Sequence, residues 1–132
     1  MTDFAVSITP RFYETDALGH INNAAIAAWF EVARISFLES LEPGDAGTGK
    51  NWVLASIKLD FVAETYYGSE VSARIVGARA GNTSLTVDCE MWQNDALTVR
   101  GEAVLVHFDV ARKQSMRLPE ALRRKVLDYG AA

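Results

Sequence analysis

The chain has 132 residues, of which 49% are hydrophobic and 23% charged, and its formal net charge is −4. This length is typical of one domain, and the composition is that of a globular protein rather than a disordered one. We therefore expect a single domain over residues 1–132. The acidic balance gives no indication of nucleic-acid binding.

Three features that the sequence does not show bear on the expected location and redox chemistry of the protein. Residues 1–4 contain no basic region followed by an apolar core, so no signal peptide is expected. No apolar run approaches the ~20 residues that span a bilayer, so no membrane partner is expected either. Cys89 is the only cysteine and lies in a strand-like alternation, which excludes an intrachain disulfide and predicts a buried structural thiol. We expect a cytoplasmic protein.

The first elements differ in their apolar period. The apolar alternation of Phe4, Val6, Ile8 and Phe12 predicts a β-strand, and the polar residues 14–23 predict a loop. The period then becomes helical, and Asn22 or Asn23 suits the N-cap. Because apolar residues continue around most of this helix, we expect other elements to enclose it. Its regularly spaced apolar positions are Ile26, Phe30, Ala33, Phe37 and Leu41.

Four alternating runs follow the helix. The first carries one apolar face from Val53 to Ala63, and the last ends near Phe108. Turn residues at Gly81–Asn82 and Asn94–Asp95 separate the later runs. Short turns between alternating runs indicate hairpins, so we predict that the four strands form an antiparallel meander.

These elements together predict an α+β fold. Residues 42–49 have loop composition, and Pro119 followed by helically spaced apolar residues predicts a short C-terminal helix with proline in its first turn. A curved antiparallel sheet of about five strands wrapped around the long helix would bury the most apolar surface. Edge strands of such a sheet commonly pair across a two-fold axis, so we expect at least a dimer.

Residues 11–23, continuing into residues 29–34, resemble the signature of the hotdog thioesterases, most closely the 4-hydroxybenzoyl-CoA thioesterase-like branch. Asp16, Gly19, His20 and the paired asparagines carry this resemblance. It implies a hotdog fold assembled as a homodimer or homotetramer. It also implies hydrolysis of an acyl-CoA or aryl-CoA to free acid and CoA, with no cofactor or metal beyond the CoA of the substrate.

Asp16 is the candidate catalytic residue. It is the only carboxylate between residues 15 and 30, and it precedes a helix N-terminus, where unpaired N–H groups carry partial positive charge. We predict that Asp16 is a general base or nucleophile, and that the backbone N–H of Asn23 or Ala24 polarises the thioester carbonyl. The resemblance implies both roles. The alternative is that Asp16 only shapes the loop as an Asx-turn residue.

The assignment of further residues to the site depends on the family resemblance. His20 resembles a histidine of the plant acyl-ACP thioesterases, although Gly19 replaces a glutamine of their motif, and His20 has a structural alternative in the loop. A turn that contacts CoA in relatives resembles the segment containing Arg79, Asn82, Thr83 and Ser84. The late basic residues would either meet the CoA phosphates or form a solvated surface. They are Arg112, Lys113, Arg117, Arg123, Arg124 and Lys125.

The predicted thioesterase has three rival functions. A hotdog dehydratase would require a different histidine-containing pattern, which we do not find. A non-catalytic acyl-CoA-binding module and an acyl-ACP thioesterase both fit the same residues. No metal site is expected, because His20 and His107 are the only histidines and lie far apart in the sequence.

Overall fold

A computed structural model of the chain describes residues 4–42 and 51–129. The predicted order of strand, long helix, four strands and short helix is confirmed, with one additional two-residue strand. The first strand ends at Ile8, and Pro10, which has no N–H to donate to a sheet, follows it. The prediction that the strand includes Phe12 is therefore wrong, because Phe12 begins a short 3₁₀ helix (Phe12–Glu14). Residues 43–49 of the predicted loop lie outside the described residues. The elements are β1 (Phe4–Ile8), α1 (Asn23–Leu41), β2 (Trp52–Phe61), β3 (Val71–Ala80), β4 (Ser84–Gln93), β5 (Ala96–Asp109), β6 (Gln114–Ser115) and α2 (Glu120–Val126).

The main sheet is antiparallel and has the order β1-β3-β4-β5-β2, with β6 paired to the end of β5. The predicted four-strand meander is wrong for β2, which pairs with β5 instead of β3. Residues 62–70 are too long a connection for a tight hairpin, and they lead from one edge of the sheet back to β3. The β4–β5 turn is tight, and positive φ angles at Asn94 (51°) and Asp95 (64°) are typical of a type I′ turn.

A β-bulge changes which residues of β2 face the core. Pairing with β5 shifts between Leu54 and Ser56, so the predicted alternation is wrong before this point. Trp52 and Leu54 lie opposite buried residues of β5 and therefore share a face with Ile57. Val53 belongs to the other face.

Helix α1 packs mainly against β3 and β1. Its predicted apolar positions, Ile26 to Leu41, are all buried, which confirms the helical period. In one copy of the chain, however, the enclosure is one-sided, because Val32 on the opposite side of α1 is 49% exposed. No helix of the described residues is long and apolar enough to cross a membrane.

Helix α2 closes the C-terminal end of α1. Pro119 is its N-cap residue, so the proline precedes the first turn instead of lying in it as predicted. Leu122 and Val126 are buried, and Lys125 Nζ donates a hydrogen bond to the carbonyl of Leu41. The two ends of α1 thus have different surroundings: α2 at the C-terminal end and the polar loop at the N-terminal end.

Candidate active site

The loop before α1 is a small closed structure. Its base is a bridge between Thr15 and Ile21, and its backbone is held by hydrogen bonds from Asp16 N to His20 O (2.7 Å) and from Gly19 N to Asp16 O (3.1 Å). Gly19 has a φ of +80°, a left-handed conformation that favours glycine. These bonds fix the backbone position of Asp16 within the loop that leads into the helix.

Asp16 is exposed, and it uses one carboxylate oxygen to shape this loop. Oδ1 accepts hydrogen bonds from the backbone N–H groups of Leu18 (2.8 Å) and His20 (3.1 Å), as in an Asx-turn. Oδ2 has no hydrogen-bond partner among the described residues. The structural and the catalytic interpretations of Asp16 are thus compatible, because they concern different oxygens.

The N-terminus of α1 offers two backbone donors. Asn22 is the N-cap residue, and its Oδ1 accepts a hydrogen bond from Ala25 N (2.8 Å). Asn23 and Ala24 are exposed, and no preceding turn exists to accept their N–H groups. These two N–H groups lie where the helix dipole is positive, so they suit a developing negative charge.

Glu14 is a buried carboxylate that the sequence analysis missed. Its Oε1 accepts a hydrogen bond from Arg11 N (2.8 Å) and its Oε2 from Trp29 Nε1 (3.0 Å), while only 8% of the residue is exposed. Glu14 thereby connects the loop to the second turn of α1. The only signal in the sequence was its position within the motif, two residues before Asp16.

His20 lies against the connection between β2 and β3. Its Nδ1 is 3.1 Å from Glu64 Oε2, and its ring packs edge-on against Tyr66 with centroids 5.2 Å apart. Since a carboxylate accepts, Nδ1 carries the donated hydrogen, and Nε2 of the neutral ring is left with its lone pair. Glu64 was also missed, because nothing in its local sequence indicates proximity to His20.

The connection between β2 and β3 is held in place by Gln93, a buried residue at the end of β4. Gln93 Oε1 accepts from Tyr66 N, and its Nε2 donates to the carbonyls of Tyr66 and Ser69. The Thr65 carbonyl accepts from Ile21 N (2.8 Å). The Asp16 loop, the start of α1 and the Gln93 end of β4 therefore form one end of the molecule.

The residues predicted to contact CoA lie at the turn between β3 and β4: Asn82 and Thr83 are in the turn, Arg79 is near the end of β3 and Ser84 begins β4. Arg79 forms ion pairs with Asp88 and with Glu102 (3.3 Å), and the hydrogen bond to Asp88 raises the pKa of Arg79. The turn itself is anchored, because the carbonyls of Asn82 and Thr83 accept from the backbone of the C-terminal segment and of β5.

A cleft of about 350 Å³ adjoins this turn, between the end of β3 and α2. It brings Arg79 together with Arg123 and Arg124 of the late basic cluster, whereas Arg112 and Lys113 lie elsewhere, on the turn between β5 and β6. The cleft combines positive charge with apolar surface. Its lining residues are Ala78, Arg79, Ala80, Glu120, Arg123, Arg124, Val126 and Leu127.

The two sets of predicted residues lie at opposite ends of the sheet. Asp16 and His20 share the loop that contacts the segment held by Gln93, and Asn23 begins α1 directly after that loop. Asn82, Thr83 and Ser84 lie at the other end of β4, with Arg79 nearby. The ten residues of β4 span about 30 Å. One copy of the chain therefore does not unite both sets in one site.

Other reactive groups do not add to the site. Cys89 is buried, and burial raises the pKa of its thiol to about 12, which suits a structural residue and not a nucleophile. Within residues 4–42 and 51–129, no three His, Cys, Asp or Glu side chains are placed to hold a metal ion.

Comparison with known proteins defines the class of the molecule. A family model described as the thioesterase-like superfamily matches residues 10–126, so the chain belongs to that superfamily. The structure superposes with a TM-score of 0.90 on a predicted thioesterase from Bacillus stearothermophilus, at 32% identity and with 98% of each chain covered. The predicted hotdog fold is thereby confirmed.

Two further relatives are informative. A thioesterase from Thermus thermophilus, solved in complex with coenzyme A and Zn, superposes with a TM-score of 0.83 at 28% identity, covering 95% of this chain and 92% of that one. YsmA, an uncharacterized protein of Bacillus subtilis (strain 168), is 30% identical over 84 residues. That match covers 64% of this chain and 57% of YsmA, so the chain spans less than two thirds of this relative's length.

Proposed function

We propose that the chain is an acyl-CoA thioesterase of the 4-hydroxybenzoyl-CoA thioesterase-like kind, which hydrolyses a thioester to free acid and CoA. The observation that carries the proposal is the carboxylate of Asp16, which is held by one oxygen in the loop that leads into a helix start with two unpaired N–H groups. Membership of the thioesterase-like superfamily supports a thioester hydrolase.

The reaction needs a group to activate the attacking oxygen and donors for the oxyanion. As a general base, Asp16 takes a proton from water while the water oxygen attacks the carbonyl carbon. The N–H groups of Asn23 and Ala24 stabilise the resulting oxyanion. When the C–S bond breaks, the electron pair leaves with sulfur, which receives the proton as CoA thiol.

As a nucleophile, Asp16 instead attacks the carbonyl carbon itself and releases CoA, forming an anhydride that water then hydrolyses. Both routes give the same products. Label in Asp16 after a single turnover in ¹⁸O-labelled water would identify the nucleophilic route, because only water attack on the Asp16 carbonyl of the anhydride places the label there. In either route His20, oriented by Glu64, would hold the thioester or shuttle a proton.

The proposed substrate is a CoA ester bound between two copies of the chain, in a homodimer or homotetramer. Two observations support this assembly: the sets of site residues lie about 30 Å apart in one copy, and β2 exposes apolar side chains along an edge of the sheet. In a two-fold pair the cleft with Arg123 and Arg124 would lie beside the partner's Asp16 loop and meet the CoA phosphates. The Thermus thermophilus relative bound to coenzyme A is consistent with this substrate class.

The direct test is thiol release from a panel of short, long and aromatic acyl-CoAs and an acyl-ACP. We expect turnover of at least one CoA ester. Turnover of acyl-ACP alone would contradict CoA recognition, and saturable binding of acyl-CoA without thiol release would favour the non-catalytic binding module.

A further inference from the structure

We propose that Glu14 is a positioning residue, which sets the distance between the Asp16 carboxylate and the N–H donors at the start of α1. This inference rests on the proposed thioesterase function. Glu14 does not face the proposed reaction itself, because it is buried and both its oxygens are already bound by N–H groups of the chain.

The side chain of Glu14 joins two segments that carry the site. Arg11 N belongs to the backbone that leads into the loop, and Trp29 Nε1 belongs to α1. Both groups can only donate, and a carboxylate is the side chain that offers an acceptor to each of them. Trp29 is itself only 4% exposed, so no solvent competes for this pairing.

The backbone of Glu14 makes a second connection to the helix. Its carbonyl accepts from both Asn22 N and Asn22 Nδ2, each at 2.8 Å. Asn22 in turn caps the helix through its bond from Ala25 N. Glu14 is therefore bound both to the N-cap and to the second turn of α1, while Asp16 follows only two residues later.

A displacement of Glu14 would move Asp16 relative to the oxyanion donors. Catalytic groups are sensitive to such shifts, and a misplacement of about 1 Å costs on the order of 100-fold in rate. A conservative change at Glu14 should therefore lower kcat more than it alters substrate binding.

Glu14→Gln tests this idea, because the amide offers one acceptor where two donors must be satisfied. Whichever way the amide is oriented, its NH₂ faces either Arg11 N–H or Trp29 Nε1–H. We expect kcat to fall about 10-fold to 100-fold with KM changed less than about 3-fold. Adding Trp29→Phe removes one donor, so the double variant Glu14→Gln/Trp29→Phe should recover part of the lost kcat.

The matched control is Glu70→Gln. Glu70 also accepts two hydrogen bonds, from Ser7 Oγ and Thr9 Oγ1, but these hydroxyls can rotate and belong to β1 and the residues directly after it instead of to α1. We expect its kcat to equal that of the wild type. All rates are compared at a temperature at which every variant is folded, as verified by circular dichroism.

Amide hydrogen exchange supplies a readout that does not depend on turnover. In Glu14→Gln we expect exchange of residues 14–25 to accelerate at least about 10-fold while β3 to β5 keep their protection. Unchanged exchange in this segment would overturn the inference even if the wild type proved inactive. Faster exchange with an unchanged kcat, or a double variant without any recovery, would also overturn it. A wild type without turnover would instead refute the proposed function.

Discussion

Cys89 shows how burial decides the chemistry of a single side chain. It lies on the core face of β4, opposite Ile75 and Gly101, and it is 2% exposed. Removal from water disfavours the thiolate, which raises the pKa of Cys89 to about 12. At neutral pH almost every molecule therefore carries the unreactive thiol.

We predict that Cys89 in the native protein does not react with Ellman's reagent at pH 8 on the timescale of a turnover assay. In denaturant the chain should release one equivalent of chromophore, because Cys89 is its only cysteine. A Cys89→Ala variant serves as the blank. Rapid labelling of the native wild type would show that the thiol is accessible and contradict its assignment to the core.

Some site residues were predictable at this scale and others were not. Asp16, His20 and Asn23 lie within eight consecutive residues, so their proximity follows from the sequence itself. Glu64 reaches His20 only because the long connection after β2 folds back against the loop, and no local pattern encodes that contact. Glu14 was missed because charged residues are seldom buried, so its pairing with Trp29 was not anticipated.

At the scale of elements, the side chain of Glu70 connects β1 with the segment that leads into β3. It accepts hydrogen bonds from Thr9 Oγ1 (2.6 Å) and Ser7 Oγ (2.8 Å). The two hydrogen bonds lower the pKa of Glu70 below its ordinary value, and the bond from Thr9 contributes most. The carboxylate form is thus preferred when β1 is in place.

This shift predicts a pH-dependent contribution to stability. Because the folded-state pKa of Glu70 is lowered, its stabilising effect is present above the unfolded pKa of about 4.3 and is lost as the pH falls through the folded value. The urea midpoint of Glu70→Gln should lie below that of the wild type at pH 7, and the two should converge as the pH falls below about 4. A difference that is the same at pH 7 and pH 3 would contradict this explanation.

The helices and strands were predictable from the period of their apolar residues, but the strand that each strand pairs with was harder to predict. The buried apolar residues of α1 recur every three to four positions, and this pattern can be read from the local sequence. The pairing of β2 with β5 depends instead on where residues 62–70 lead the chain. The bulge near Ala55 had no signal in the sequence, because alternating apolar residues on both sides of it look continuous.

At the scale of the whole molecule, one copy leaves apolar surface uncovered. Helix α1 lies mainly over β3 and β1, so the core face of β2 lacks a cover at the other edge of the sheet. Ile57 and Phe61 of that face are 40% and 48% exposed. A contiguous apolar edge of this kind is typical of an interface, and it is the surface through which we expect two copies to associate.

We predict that Ile57→Lys shifts the protein from a dimer or larger assembly to a monomer and abolishes turnover. The lysine is tolerated where the side chain is exposed in a single copy, but its charge is costly once a partner covers it. Light scattering after size-exclusion chromatography measures the mass. Val110→Lys, an exposed site on the turn after β5, is the control and should retain the wild-type assembly. A monomeric wild type, or an unchanged mass for Ile57→Lys, would contradict the proposed interface.

The most direct measurement is kcat for thiol release by the wild type and by Asp16→Asn, with Asp109→Asn as the matched control. Asparagine keeps the Oδ1 acceptor for Leu18 and His20, so the loop is retained while the charge is lost. Asp109 likewise accepts a backbone hydrogen bond within its own turn, from Arg112 N. We predict that Asp16→Asn lowers kcat about 10²-fold to 10⁴-fold in a fully folded protein and that Asp109→Asn does not. Equal rates for all three proteins would contradict the assignment of Asp16 as the catalytic carboxylate.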